Sequence, residues 1–308
     1  MKKVIAWIRK PNKTFVEQIA ELIFVIIPIA FVIRTFGYGL YQVPTCSMET
    51  TFLTGERFVA DKFTIWFSTP KRNDIVSFNA PRFKYSENKF LAFIQKYVWL
   101  PSGYAPENWT KRVIGIPGDH VRGLIEDDKP VVYLKKKGEL EFVKLDEPYT
   151  NKYPILFTYH SNSERLLRQE SYNPKCSYVG QPFYAMTEAS VKLGAKYATL
   201  SGYPATSYPN TPLIIYERDK NGNLGERQGD TYDVQLAENE YWMMGDNRLG
   251  SDDSRFWGPL KGDQIMGKIV YRIWSMDTQE SWMILDLIKN PIKFWDKVRW
   301  ARCFETVN

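Results

Sequence analysis

Histidine is almost missing from this chain: there are two, His120 and His160. No G-x-S-x-G turn is present, which argues against a Ser/His/Asp hydrolase. Cysteine is scarce as well. Cys46, Cys176 and Cys303 are odd in number and far apart, so no disulfide framework is indicated, and they read as small buried hydrophobes. Neither sign of charge dominates, since 41 Lys+Arg against 35 Asp+Glu leaves +6. No basic array interleaved with aromatics lies outside the two ends, so no nucleic-acid partner is expected. Asp219 to Asn223 superficially resembles a calcium loop, but its sixth position is Leu224 where glycine is required. Asp246, Asp252 and Asp253 sit beside Arg248 and Arg255, a charge-compensated turn rather than a metal site. No metal and no cofactor is expected.

Long uncharged apolar runs are also lacking, with one partial exception. Leu22 to Ile33 runs twelve residues without a charge, short of the roughly 20 that cross a bilayer. Extending the segment over 15–41 reaches that length and admits Glu17, Glu21 and Arg34, which can sit near the interfaces. A buried helix or a cleaved signal peptide would share this composition, but no small-residue cleavage site follows. The segment reads as a single uncleaved span. Lys2, Lys3, Arg9, Lys10 and Lys13, with no acid in residues 1–14, place the N-terminus on the cytoplasmic side.

Just after this segment comes Val43-Pro44-Thr45-Cys46-Ser47-Met48. A serine hydroxyl attacks a carbonyl only if a neighbour takes its proton, and without a suitable histidine the remaining base is a neutral lysine. At an ordinary pKa of about 10.4, roughly one lysine in two to three thousand is neutral at pH 7. Burial can depress that value by about 3 to 5 units. Lys111 opens the apolar run Val113 to Ile116, which reads as a buried strand ending at the turn Pro117-Gly118-Asp119. Ser47 lies fourteen residues beyond Ile33, which holds it within roughly 50 Å of the bilayer if extended and about 21 Å if helical.

Four stretches, in order, resemble the signature boxes of the type I signal peptidases, the bacterial Ser/Lys peptidases of family S26. They are Pro44-Thr45-Cys46-Ser47-Met48, the weaker Asn73-Asp74-Ile75-Val76-Ser77-Phe78, Lys111 to Asp119, and Gly245-Asp246-Asn247-Arg248 with Ser251-Asp252-Asp253-Ser254-Arg255 and Gly258. The resemblance implies a membrane-anchored endopeptidase that removes signal peptides from exported preproteins through an acyl-enzyme. It makes Ser47 the nucleophile and Lys111 the general base. Thr45 and the Ser47 N–H become oxyanion donors, each worth about 3 to 4 kcal/mol in comparable sites. Ser251 would hydrogen-bond and orient Lys111, and Asp253 would pair with Arg255 beside the site. Val43, Pro44, Met48, Phe52 and Thr110 would line shallow pockets for small side chains. The family usually has Gly, Pro and Leu where this chain has Cys46, Thr50 and Phe52. Cys46 therefore constrains a backbone that glycine leaves free, and Phe52 narrows the pocket.

The implied fold is mainly β: a transmembrane helix, then an antiparallel β catalytic domain interrupted by a second β-rich domain. The boundaries are a basic N-terminus over 1–14, the anchor over 15–41, the catalytic core over 42–121 and 241–280, the insert over 122–240, and a basic amphipathic tail over 281–308. Arg57 to Asp61, Asp74 to Phe78, Val131 to Leu134, Leu213 to Tyr216, Tyr241 to Met244 and Ile269 to Trp274 read as strands. Lys135-Lys136-Lys137-Gly138 reads as a hairpin tip, Asn221-Gly222 as another, and Thr187 to Leu193 as a short capped helix.

Residues 82–108 are rich in aromatics and cations, and read either as ordinary loop and helix or as a patch dipping into the membrane interface. The tail, with Ile284, Ile288, Ile292 and Trp295 at helical spacing, suits either a membrane surface or the protein's own body. Eukaryotic reticulum relatives carry histidine at the lysine position, so Lys111 implies the bacterial inner membrane, with the catalytic domain outside. A monomer acting on preproteins is the expectation. The rivals are a self-processing Ser/Lys peptidase and a non-catalytic anchored β ectodomain.

Overall fold

A computed structural model describes residues 10–45, 47–49, 51–53, 55–98, 104–126, 129–150, 214–218, 224–228, 232–248, 251–276, 283–289 and 291–307. The first element among the described residues is a helix over Phe15–Gly37, long and apolar enough to cross a membrane. At 1.5 Å per residue its 23 residues extend about 35 Å. Thr14 caps it: its hydroxyl accepts the Glu17 N–H while the Glu17 carboxylate accepts the Thr14 N–H at 2.8 Å, a capping box. Both acids that interrupt the apolar run sit in the first two turns. They pair with the basic stretch, Lys10 with Glu17 at 2.7 Å and Lys13 with Glu21 at 2.5 Å. Pro28 has no N–H, and the wider turn over Leu22–Ile26 absorbs the ring. The apolar side chains stand exposed along the helix, so this is not the core helix of the folded body. The helix stops at Gly37, and residues 38–41, expected in the span, instead begin the sheet.

The strands are β1 (Tyr38–Gln42), β2 (Arg57–Asp61), β3 (Ile75–Asn79), β4 (Asn108–Gly115), β5 (His120–Glu126), β6 (Lys129–Lys135), β7 (Val143–Lys144), β8 (Ile214–Arg218), β9 (Leu224–Gln228), β10 (Tyr232–Gln235), β11 (Glu240–Met244), β12 (Leu260–Lys261), β13 (Ile265–Trp274) and β14 (Glu305–Thr306). The architecture is mainly antiparallel β. One sheet runs β1-β2-β13-β3-β4-β11-β12 with β14 added to β13, a second runs β10-β5-β6-β7, and β8 pairs with β9. The second sheet and the hairpin fall between the two halves of the large sheet in sequence. The Lys136 to Glu139 turn lies between β6 and β7. The Asn221-Gly222 tip, the Thr187 helix, Cys46 and Thr50 lie outside the described residues.

Among the described residues, three apolar clusters hold the sheets. Val43, Met48, Phe52, Phe58, Ala60, Ile75 and Ile269 pack under the segment that carries Ser47. Val76, Phe78, Val113, Met243 and Leu260 pack on one side of the β3, β4 and β11 strands. Ile114, Val121, Leu134, Val234 and Trp242 join the large sheet to the second one. β4 therefore contributes to two cores at adjacent positions, Val113 and Ile114, because successive side chains alternate faces.

The tail folds back on the body. It forms helices over Met283–Lys289 and Lys293–Asp296, separated near Pro291 as its fixed φ requires. Phe294 and Val298 pack with Met276, and β14 pairs with β13. Beneath the tail a buried carboxylate, Glu56, accepts from Arg302 at 2.6 Å and from Ser275 at 2.7 Å, and pairs with Arg272 at 3.0 Å. Burial alone would raise its pKa, but the two guanidiniums win and hold it below the usual carboxylate range.

Candidate active site

Antiparallel register places Lys111 of β4 opposite Val76 of β3, and Arg112 opposite both Ile75 of β3 and Met244 of β11. Alternation then gives Lys111 the apolar neighbours Val76 across the sheet and Val113 along the strand. The lysine is 5% exposed. Its Nζ donates to Ser47 Oγ at 2.8 Å and to the Thr110 carbonyl at 3.2 Å. Desolvation is the largest influence on its pKa and pushes it down, Asp253, Asp252 and Asp246 push back, and the result is about 8. A lysine so placed can accept the proton of the hydroxyl it faces.

Ser47 reaches that position through its backbone. Its carbonyl accepts the Asn247 N–H at 3.1 Å, so the turn after β11 grips the Ser47 segment directly. Only glycine fits at the head of this turn: a Cβ on Gly245 would lie 2.2 Å from Ser251 Oγ and 2.4 Å from the Ser47 carbonyl oxygen. The Gly245 N–H is in turn held by Asp253 at 2.9 Å. Asp253 also caps the short Ser254–Trp257 helix and clasps Arg255 at both carboxylate oxygens, 2.8 and 2.9 Å. The buried guanidinium outweighs desolvation and keeps the Asp253 carboxyl ionised, below its ordinary pKa.

Thr45 stands with its hydroxyl 3.4 Å from Ser47 Oγ. Ser251 lies beside Gly245 but does not hold Lys111: its buried Oγ has no hydrogen-bond partner, and the backbone oxygen of Thr110 takes that role. A strand carbonyl beside the lysine's own Cα needs no ordering of a side chain, which is why it can replace a hydroxyl from a distant turn. Pro44 is exposed and Thr110 half-buried. Val43, Met48 and Phe52 are buried and pack in the core beneath the loop, and Phe52, with 0% exposed, stacks on Phe58 at 5.1 Å. These apolar side chains anchor the segment, since a nucleophile loop attached only by polar contacts would lose its geometry.

Several supporting groups were not assigned from sequence. Arg112 clasps Asp246 at 2.8 and 2.7 Å, donates to the Asn73 carbonyl at 2.9 Å, and lies over the Tyr149 ring at 3.9 Å. Thr51 also donates to Asp246. Arg248 is neutralised by Glu147 from the far end of the β6–β7 hairpin, not by a neighbouring aspartate. Asp246 and Asp253 thus each spend their charge on an arginine. Arg112 and Asp246 were present in the boxes, but their partnership across 134 residues carries no local signal. Asp252 lies half-buried near Lys111 with one carboxylate oxygen unpartnered, and burial raises its pKa.

Comparison with known proteins adds a lineage to this geometry. The family described as "Signal peptidase, peptidase S26" matches residues 16–274. "Signal peptidase I" of Buchnera aphidicola subsp. Baizongia pistaciae is 26% identical over 275 residues, covering 85% of this chain and 77% of that protein. "Signal peptidase I" of Aquifex aeolicus is 25% identical over 252 residues, covering 82% and 81%. A crystal structure of a signal peptidase I from Enterococcus faecalis V583 aligns over 65% of this chain and 97% of that one, at 18% identity and a TM-score of 0.27, too loose a superposition to carry an argument.

Proposed function

This chain belongs to the signal peptidase family, peptidase S26, and on that premise we propose that it is a membrane-anchored serine endopeptidase that removes signal peptides from exported preproteins by a Ser47/Lys111 dyad. The single observation that carries the mechanism is the 2.8 Å contact between Lys111 Nζ and Ser47 Oγ at a lysine excluded from water. Neutral Lys111 takes the hydroxyl proton as Ser47 Oγ attacks the scissile carbonyl. The oxyanion is held by the Thr45 hydroxyl and the Ser47 N–H. As the tetrahedral species collapses, the lysinium returns its proton to the leaving amine, and the mature protein departs with a new N-terminus. Lys111, neutral again, deprotonates a water that attacks the ester and frees the signal peptide.

Substrate presentation follows from the fold. β1 is an end strand of the large sheet among the described residues and leads to Ser47 within five residues. An extended peptide can add to such an edge through backbone hydrogen bonds, with Pro44 and Thr110 near the scissile bond. The Phe15–Gly37 helix crosses the membrane with its basic flank in the cytoplasm, which holds β1 and the dyad at the outer face, where an apolar signal segment emerges. Incubation of a preprotein bearing an Ala-x-Ala site with detergent-solubilised wild type, Ser47→Ala and Lys111→Ala tests the reading. Cleavage by wild type alone is expected; processing by either variant refutes the dyad.

A further inference from the structure

The turn that grips Ser47 is itself held from outside the large sheet. Just beyond β7, an end strand of the second sheet, comes Glu147-Pro148-Tyr149-Thr150. Pro148 takes the second position of a β-turn, where its fixed φ is favoured, and the Thr150 N–H closes that turn on the Glu147 carbonyl at 3.1 Å. The Thr150 hydroxyl donates to the same carbonyl at 2.8 Å. The Tyr149 hydroxyl donates to a Glu147 carboxylate oxygen at 3.0 Å, so the carboxylate and the ring brace each other.

Each of these two groups meets an arginine of the site. Glu147 accepts from both terminal nitrogens of Arg248, one of them at 2.7 Å, in a pair whose side chains are 7% and 10% exposed. Burial would lower the pKa of this guanidinium, and Glu147 more than reverses that. The Arg248 Nε reaches back to the Gly245 carbonyl at 3.3 Å, and the Arg248 carbonyl accepts from Arg255 at 2.5 Å. The Tyr149 ring covers the other arginine, Arg112, at 3.9 Å, the guanidinium that clasps Asp246. Asp246 and Arg248 are thus fastened through side chains that one turn closes off. Between them the Asn247 N–H holds the Ser47 carbonyl at 3.1 Å.

We propose that Glu147 and Tyr149 are positioning residues for the cleavage reaction: their turn closes both arginines and so sets where the Asn247 N–H holds the Ser47 backbone, and with it the reach of Ser47 Oγ to Lys111. The inference rests on reading Ser47 and Lys111 as the dyad. A carboxylate that served only to neutralise Arg248 would support folding; this one also fixes the geometry of the reacting oxygen, in which a displacement of about 1 Å costs about 100-fold in rate.

Full-length protein in detergent, with a preprotein bearing an Ala-x-Ala site as substrate, provides the test. Wild type that cleaves nothing removes the dyad reading and this inference with it. Where wild type cleaves, Glu147→Gln should lower kcat by about 10- to 100-fold with KM within about twofold, after rates are divided by the folded fraction read from tryptophan fluorescence. A wild-type kcat in this variant overturns the positioning role and leaves the dyad standing. A loss that vanishes on correction for folding, or one carried by KM, overturns it too. Arg248→Met should lower kcat as far, and Glu147→Gln combined with Arg248→Met no further; additive losses overturn the route through Arg248. Tyr149→Phe keeps the ring over Arg112 and should cleave at close to the wild-type rate, whereas Tyr149→Leu should lose about tenfold. Should Glu147→Gln fail to fold, these two variants decide the role of the turn, and equal rates in them overturn it.

Discussion

Replacing Lys111 with methionine tests the desolvated base through stability as well as activity. The folded lysine has a pKa of about 8 against 10.5 for the free side chain, so at pH 7 about one molecule in ten carries it neutral, some 300-fold more than an ordinary lysine. That gain in base is a cost to folding. Between pH 8 and 10.5 the unfolded chain binds a proton that the folded chain does not, so stability rises with pH across this window. Below 8 the whole penalty of about 3 kcal/mol is present. Lys111→Met removes that penalty and loses hydrogen bonds worth about 1 kcal/mol each. The variant should be inactive, yet more stable than wild type at pH 6.5 by about 1 to 3 kcal/mol, an advantage that disappears by pH 10.5. Thermal or denaturant melts of both proteins in one detergent across that range measure it. In parallel, wild-type kcat/KM should climb about tenfold per pH unit up to about 8 and then level. A plateau already reached at pH 6, or a variant less stable by the same margin at every pH, refutes the reasoning.

Asp252 favours the charged form of Lys111, so Asp252→Asn should move the acid limb of the rate profile to lower pH; a limb that stays put removes Asp252 from the field at the base. Gly245→Ala drives a methyl to within 2.4 Å of the Ser47 carbonyl oxygen and should lower kcat by about 100-fold through displacement of the nucleophile, and a wild-type kcat would show that the turn can yield. Phe52→Ala empties a fully buried position and should cost about 3 to 5 kcal/mol, whereas Phe52→Leu should cost about 1. If Phe52→Ala instead melts like wild type and cleaves at altered positions, Phe52 belongs to a pocket wall and not to the core.

Much of the fold was legible because its signals are local. β2 spans the expected residues Arg57–Asp61, and β11 and β13 contain Tyr241 to Met244 and Ile269 to Trp274, since alternation and bounding turns act over a few residues. The N-terminal helix was legible for the same reason, apart from its end, where Gly37 hands over to a strand that composition does not separate from the span. Ser47 and Lys111 stood out as a nucleophile and a base without a histidine to serve it. Ser251 makes no bond to Lys111 and Phe52 lies in the core, because a residue type near Ser47 does not say which way its side chain turns.

The sequence by itself singled out Ser47 and Lys111 as the candidate pair, the apolar segment fourteen residues ahead of Ser47, and the β character of the body. The order of charges along the chain did not reveal which partner each would find: Arg112 with Asp246, Arg248 with Glu147, Glu56 with Arg302. Those choices belong to tertiary structure, because a buried charge is paired by whatever strand register and packing bring within about 3 Å, and register couples residues a hundred or more positions apart. The same holds for the 2.8 Å gap between Lys111 and Ser47 and for the outward aromatic face of the Lys89–Tyr97 helix. Periodicity creates the apolar face, and the contacts of Gln95 and Lys96 on the other side, visible only in the structure, leave Phe90 and Phe93 exposed.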